Sequence, residues 1–383
     1  MKKNVALISF FNSENLGDIE LSKGLFKIIE RKYNIELMYD FSTLKRVEII
    51  SNYNKNSNSQ FILKRVLKKI VGNKIYSRMI YNFKLKRKAM NEMFDQLKSV
   101  DKLIIGGGNM LMDKNQTWPL RLSKIINFAH KNDISVSIVY VGAGPITHNK
   151  TKKIYREIFK KVQKIIVRDK LSKKLITPLA ENITIDVDYD PALYFDNEQY
   201  LSRLNRLPNK KTVIGINILG RECFKTSKEN SNYLSDMYSL IRKIHSSEIG
   251  KVILFSTAKN DYVNINRLNK VLDNGTVQIA HITTYEDIRK LYSELDFLVG
   301  SRMHSLIFAQ THYIPYMAIS WDSKVDSYVE MINLEIFTVN VYELSKSNEL
   351  IINTILNNMN KDIIKVMKNK NKEIQTSHDI SRV

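Results

Sequence analysis

Cysteine is almost absent from this chain of 383 residues: Cys223 stands alone, which excludes an intramolecular disulfide and any cysteine-based metal cluster and suits a reducing compartment. Long apolar runs are missing too. No stretch reaches the ~18 apolar residues that a membrane span needs. The run from Val5 to Phe11 behind Lys2 and Lys3 stops at Asn12-Ser13-Glu14-Asn15, too short and wrongly flanked for a secretory signal. The expected location is the cytoplasm. Acid is scarce: Asp plus Glu number 39 against 60 Lys plus Arg, a net charge of +21, so the field favours acidic partners such as nucleic acid, anionic lipid or a phosphorylated metabolite. The abundance of Lys, Asn and Ile is also what an AT-rich coding sequence produces, which discounts that inference. The glycine spacing G-x-G-x-x-G is absent, so a nicotinamide site is unsupported. What remains is ordinary for a globular chain, 43% hydrophobic and 26% charged, at a length that suits two domains.

The pattern along the chain alternates strand, loop and helix. Val5 to Phe11 reads as a buried strand, Asn12 to Asp18 as a polar loop containing Asn15 and Gly17-Asp18, and Ile19 to Lys32 as a helix. Gly17 and Asp18 suit a turn and a helix cap, and equally a cleft-facing loop at a strand end. Residues 42–99 change character: basic side chains interleave with an apolar stripe, a segment that can lie on an anionic membrane or pack on its own domain with a solvated basic face. Further strands are expected at Asp101 to Ile105, running into Gly106-Gly107-Gly108-Asn109, and at Val136 to Val141, ending in Gly142-Ala143-Gly144-Pro145 with His148 after it. Ile165 to Val167 precedes Arg168-Asp169, and Asp186 to Ala192 marks the last strand and turn of this half. Such glycines let backbone N–H groups approach a ligand, or let chain segments pack closely. The polar stretch from Phe195 to Lys211, with Pro208, reads as a linker. The predicted domains are residues 1–200 and 212–383.

In the second half strands are expected at Val213 to Ile218, ending near Gly220-Arg221, at Val252 to Phe255 and at Ile314 to Ile319. Helices are expected around Tyr233 to His245 and Val263 to Leu272, with Thr283 and Glu286 as a capping box for another, and a long polar helix from Leu344. The whole is organised around Leu295 to Ser305, where an apolar run ends at Gly300 and hands over to Ser301-Arg302-Met303-His304-Ser305. At a strand's carboxyl end a helix N-terminus offers N–H groups to an anion, Arg302 a planar fork and His304 a proton near neutral pH. In the alternative, Arg302 pairs with a structural carboxylate and His304 caps the helix.

Taken in order, Asn15 with Gly17-Asp18, Gly106-Gly107-Gly108, Gly142-Ala143-Gly144-Pro145, Arg168-Asp169, Asp190-Pro191-Ala192 and Ser301 to Ser305 resemble the polysaccharide pyruvyl transferase family over about Val5 to Ile332. The resemblance implies an α/β fold of two facing Rossmann-like domains, glycosyltransferase-B-like, with parallel sheets flanked by helices and a C-terminal helix. It also implies transfer of a pyruvyl group from phosphoenolpyruvate to a sugar of a cell-surface polysaccharide or its precursor as a cyclic ketal, without a cofactor or metal. Residues 1–200 are then the acceptor side and 212–383 the donor side. Arg302, Arg168 and Ser301 would receive the donor's phosphate and carboxylate. His304 would be the general acid and Asp18 the base or orienter of a sugar hydroxyl. Asn15, Gly17, Gly107, Gly108, Gly144, His148 and Arg221 complete the expected binding residues. The acceptor is polymer-, nucleotide- or lipid-linked, contact with the inner face of an anionic membrane is a further expectation, and nucleic acid is not. Two other readings stay open: a nucleotide-sugar glycosyltransferase of the same architecture, and a non-catalytic binder of anionic polymer or lipid.

Overall fold

The structure is a computed structural model that describes residues 2–13, 15–48, 87–113, 117–194, 212–273, 275–356 and 359–377. Two six-stranded sheets, each wholly parallel, form its frame. The first contains β1 (Asn4–Ser9), β2 (Asn34–Asp40), β3 (Lys102–Gly106), β4 (Ser135–Val141), β5 (Lys164–Val167) and β6 (Ile185–Val187), in the order β2-β1-β3-β4-β5-β6. The second contains β7 (Thr212–Asn217), β8 (Gly250–Phe255), β9 (Val277–Ile279), β10 (Phe297–Gly300), β11 (Tyr316–Ser320) and β12 (Thr338–Asn340), in the order β12-β11-β10-β7-β8-β9. That second order is the doubly wound Rossmann arrangement.

The central strands are buried on both faces, as helix crossovers require of parallel sheets. Leu103, Ile104 and Ile105 of β3 and Phe297, Leu298 and Val299 of β10 are all sealed from solvent. Several expected bounds move. β2, β9 and β12 add three strands to those read from the sequence, and the capping box lies one residue later, with Thr284 and Asp287 in place of Thr283 and Glu286. Asp287 wins because its Oδ2 accepts the N–H groups of both Thr283 and Thr284 and the Thr283 hydroxyl. The expected long C-terminal helix is two helices, Leu344–Leu356 and Met359–Ser377. Of the basic segment 42–99, residues 49–86 lie outside the described residues, as does the expected linker from Phe195 to Lys211; a helix covers 87–97. No helix among the described residues is long and apolar enough to cross a membrane.

The two halves meet along their strand carboxyl ends. Leu193 of the first half is buried in the apolar core of the second. The last helix returns to the first half, where Tyr189 donates to Glu373 Oε1 at 2.5 Å and Ser377 to Asp188 Oδ1 at 3.2 Å. Lys170 and Glu330 bridge the same seam at 2.6 Å.

Candidate active site

Four strands hand over to helices at this seam: β1 to Leu16–Glu30, β5 to Lys170–Ile176, β10 to Met303–Thr311 and β11 to Ser323–Met331. Three of the first turns are capped by their own N-cap residue, and the fourth from β7. Asn15 Oδ1 accepts the Gly17 N–H at 3.0 Å, Asp169 the Ser172 N–H at 2.6 Å, and Asp322 the Lys324 N–H at 3.1 Å. Asn217, at the end of β7, accepts the Arg302 N–H at 2.8 Å and the Ser305 hydroxyl at 3.2 Å. The positive ends of four helix dipoles therefore border one cleft.

His304 lies in that cleft, flat against the start of the first helix. Gly17 is required there because a methyl group on it would overlap the imidazole. The residue is half-buried, yet its Nε2 is shut off from solvent with no hydrogen-bond partner. Its pKa is lowered to about 4, by burial first and then by the Arg168 guanidinium and more weakly the Lys324 ammonium, with Asp18 opposing. Arg168 is itself buried. Its Nη1 donates to Asp190 Oδ2 at 2.9 Å, while its Nε has no hydrogen-bond partner. Lys324 is held below its ordinary value by burial of the ammonium and by Arg168, against Asp322, Asp18 and Asp169. Asp18 receives the Ser13 hydroxyl at 3.1 Å. A pocket adjoins Arg168 and Lys324, lined by Arg168, Asp169, Tyr189, Asp190 and Leu193 from one half and Met303, Lys324, Tyr328, Met331 and Ile332 from the other.

The structure thus brings His304, Arg168, Asp18 and Gly17 together and adds Lys324, which was not among the expected site residues. Its signal was available: Asp322-Ser323-Lys324 follows a strand end in the same way as Ser301-Arg302. Arg302 takes the alternative reading, pairing with a buried carboxylate. Its guanidinium is not turned to an anion in the cleft, because Nε and Nη2 lie 3.0 and 2.6 Å from the two oxygens of the fully buried Asp261, and Nη2 lies 3.2 Å from Glu222. It stacks over Trp321 at 5.3 Å. Ser301 is likewise spent, its hydroxyl on the Asn217 carbonyl at 2.9 Å. Arg221 closes a local turn onto the Phe224 carbonyl at 2.7 Å.

The remaining expected residues serve packing and capping. Gly107 and Gly108, with φ of +84° and +63°, let the β3 loop press on Leu21 and Phe10, and Gly144 packs on Leu175. His148 is exposed and gives its backbone N–H to Asp113 at 2.7 Å. Among the described residues Glu222, Cys223 and Asp261 have the spacing for a metal ion. Their carboxylates are already committed to Arg302, and burial pushes the Cys223 thiol up to about 12.

Two facing Rossmann-like halves with a cationic cleft between them define a protein of the glycosyltransferase-B fold. A family model described as polysaccharide pyruvyl transferase matches residues 15–323, and the chain belongs to that family. None of the curated proteins matches it. Among solved structures it is similar to the UDP-GlcNAc 2-epimerase of Methanocaldococcus jannaschii (TM-score 0.56, 14% identity, 92% of this chain and 93% of that one). It is also similar to the UDP-GlcNAc 2-epimerase of Neisseria meningitidis (0.53, 13%, 98% and 99%) and to the α,α-trehalose-phosphate synthase of Burkholderia vietnamiensis (0.51, 8%, 100% and 95%). At such identities the likeness is one of fold.

Proposed function

We propose that this transferase moves the pyruvyl group of phosphoenolpyruvate onto a sugar of a cell-surface polysaccharide or its precursor, forming a cyclic ketal. The observation that carries the reading is a pair of buried polar atoms without hydrogen-bond partners, His304 Nε2 and Arg168 Nε, the latter 3.9 Å from Asp169 Oδ2, near Lys324. Buried polar groups are ordinarily satisfied, so two orphans in one cationic cleft call for an anionic ligand that accepts from them. Phosphoenolpyruvate carries a phosphate and a carboxylate, one for each kind of cation present.

Arg168 and Lys324 hold the donor. Its charge offsets theirs and raises the His304 pKa, so that the imidazole takes up a proton on binding. His304 passes that proton to the methylene carbon, leaving a cation-like centre at C2. A sugar hydroxyl attacks C2 and gives its proton to Asp18. Cleavage of the C2–O bond then releases phosphate, and a second hydroxyl closes the ketal ring, giving its proton to His304, which the first step left neutral. The site faces a sugar presented in solution or at the inner face of a membrane, where the basic segment 42–99 would make peripheral contact.

The test is phosphate release from phosphoenolpyruvate with a panel of sugar acceptors, with the product's new methyl group read by NMR. His304→Gln should lose ~10²–10⁴-fold in turnover while donor affinity changes little. Turnover that requires a UDP-sugar in place of phosphoenolpyruvate would assign the cleft to glycosyl transfer instead.

A further inference from the structure

We infer that Trp118 is the platform on which the acceptor stacks, and that the acceptor presents a pyranose ring there; the inference rests on the proposed pyruvyl transfer. The first sheet reverses its strand order between β1 and β3, and in open α/β sheets the crevice outside the strand ends at such a reversal is where ligands bind. Phe10 leaves β1 and Gly108 follows β3 at that point. A Cβ on Gly108 would lie 2.5 Å from the Phe10 ring and 3.4 Å from Asp18 Oδ1, so Phe10 and Asp18 flank the same backbone. Trp118, in the first turn of the helix Thr117–Lys131, packs on Phe10 at 5.2 Å and edge-on to Phe41 at 5.7 Å.

Both phenylalanines are buried, whereas Trp118 is only half-buried. Two rigid rings pack against the indole and leave part of it exposed. An aromatic surface beside a carboxylate suits a pyranose, whose C–H face lies on the ring while a hydroxyl reaches the acid. Asp18 is that acid, and on its far side Gly17 touches His304. The acceptor then runs along Trp118, Phe10, Gly108 and Asp18 toward His304.

Steady-state kinetics with phosphoenolpyruvate and p-nitrophenyl pyranosides test this in Trp118→Leu and Trp118→Phe. The leucine variant should raise the acceptor KM about tenfold, equivalent to about 1.4 kcal/mol, and the phenylalanine variant less. The donor KM should hold in both. An unchanged acceptor KM in Trp118→Leu, or donor and acceptor KM rising together with a fall in Tm, would reduce Trp118 to a core residue and overturn the inference. The sequence contains two tryptophans, so Trp321→Phe leaves Trp118 as the sole reporter. Titrating that variant with methyl pyranosides should shift its emission whether or not phosphoenolpyruvate is the donor. A shift without pyruvyl transfer would sink the donor assignment alone, and no shift with any pyranoside would sink the platform.

Discussion

Replacing Arg302 with alanine should unfold the protein more easily and leave the donor's affinity almost intact. Asp261 is fully buried and takes two bonds from the guanidinium, with the Gly220 N–H at 2.7 Å and the Ser256 hydroxyl as its other donors. Removing the cation leaves a carboxylate in the core with half its partners, at a cost of about 3–5 kcal/mol. Loss of the stacking on Trp321 adds about 0.5–1 kcal/mol. For a domain of this size roughly 2–4 °C of Tm follows each kcal/mol, so thermal unfolding should begin about 10 °C lower. Arg302→Lys should recover less than half, since an ammonium cannot span both carboxylate oxygens. Adding Asp261→Asn to Arg302→Ala should restore part of the loss by removing the unpaired charge. Calorimetry on the alanine variant supplies the second readout. A tenfold or greater loss of phosphoenolpyruvate affinity at unchanged Tm would refute the reasoning and return Arg302 to the donor pocket.

Three further outcomes are expected. Lys324→Ala should weaken donor affinity by at least tenfold with Tm barely moved, because its partners are cleft charges rather than a buried counter-ion; isothermal titration reads this directly. Gly17→Ala should push the His304 ring aside and cost ~10²-fold in turnover, as displacement of a catalytic group by about 1 Å does, with phosphate release as the assay. His304 stays neutral in the free protein down to about 4 while the unfolded chain binds its proton near 6.5, so the folded state should lose stability as pH falls through that window, by at most about 3 kcal/mol. Denaturant midpoints across that range should show the slope in wild type and a flatter one in His304→Gln.

The apolar runs at 102–106, 135–141 and 297–300 announced themselves because a central parallel strand must be apolar on both faces. β2 did not, since Asn34-Ile35-Glu36-Leu37 interleaves polar residues at the sheet edge, where one side needs no burial. The ambiguity between Thr283–Glu286 and Thr284–Asp287 is of another kind. Two adjacent caps fit the same rule, and only the fold of the preceding loop selects Asp287.

The sequence by itself determined the alternation of strands and helices, the two halves and the strand ends where chemistry would gather, because each of these follows from local periodicity and turn residues. It also marked His304, Arg168 and Asp18 by their places after strands. Only the tertiary structure decided which cations are free. Arg302 and Lys324 both stand at helix starts behind a strand, yet one meets Asp261 from the β8 loop and the other faces Arg168 across the seam. A side chain's role depends on which opposite charge the fold carries to it from far along the chain, and no spacing within the sequence encodes that distance.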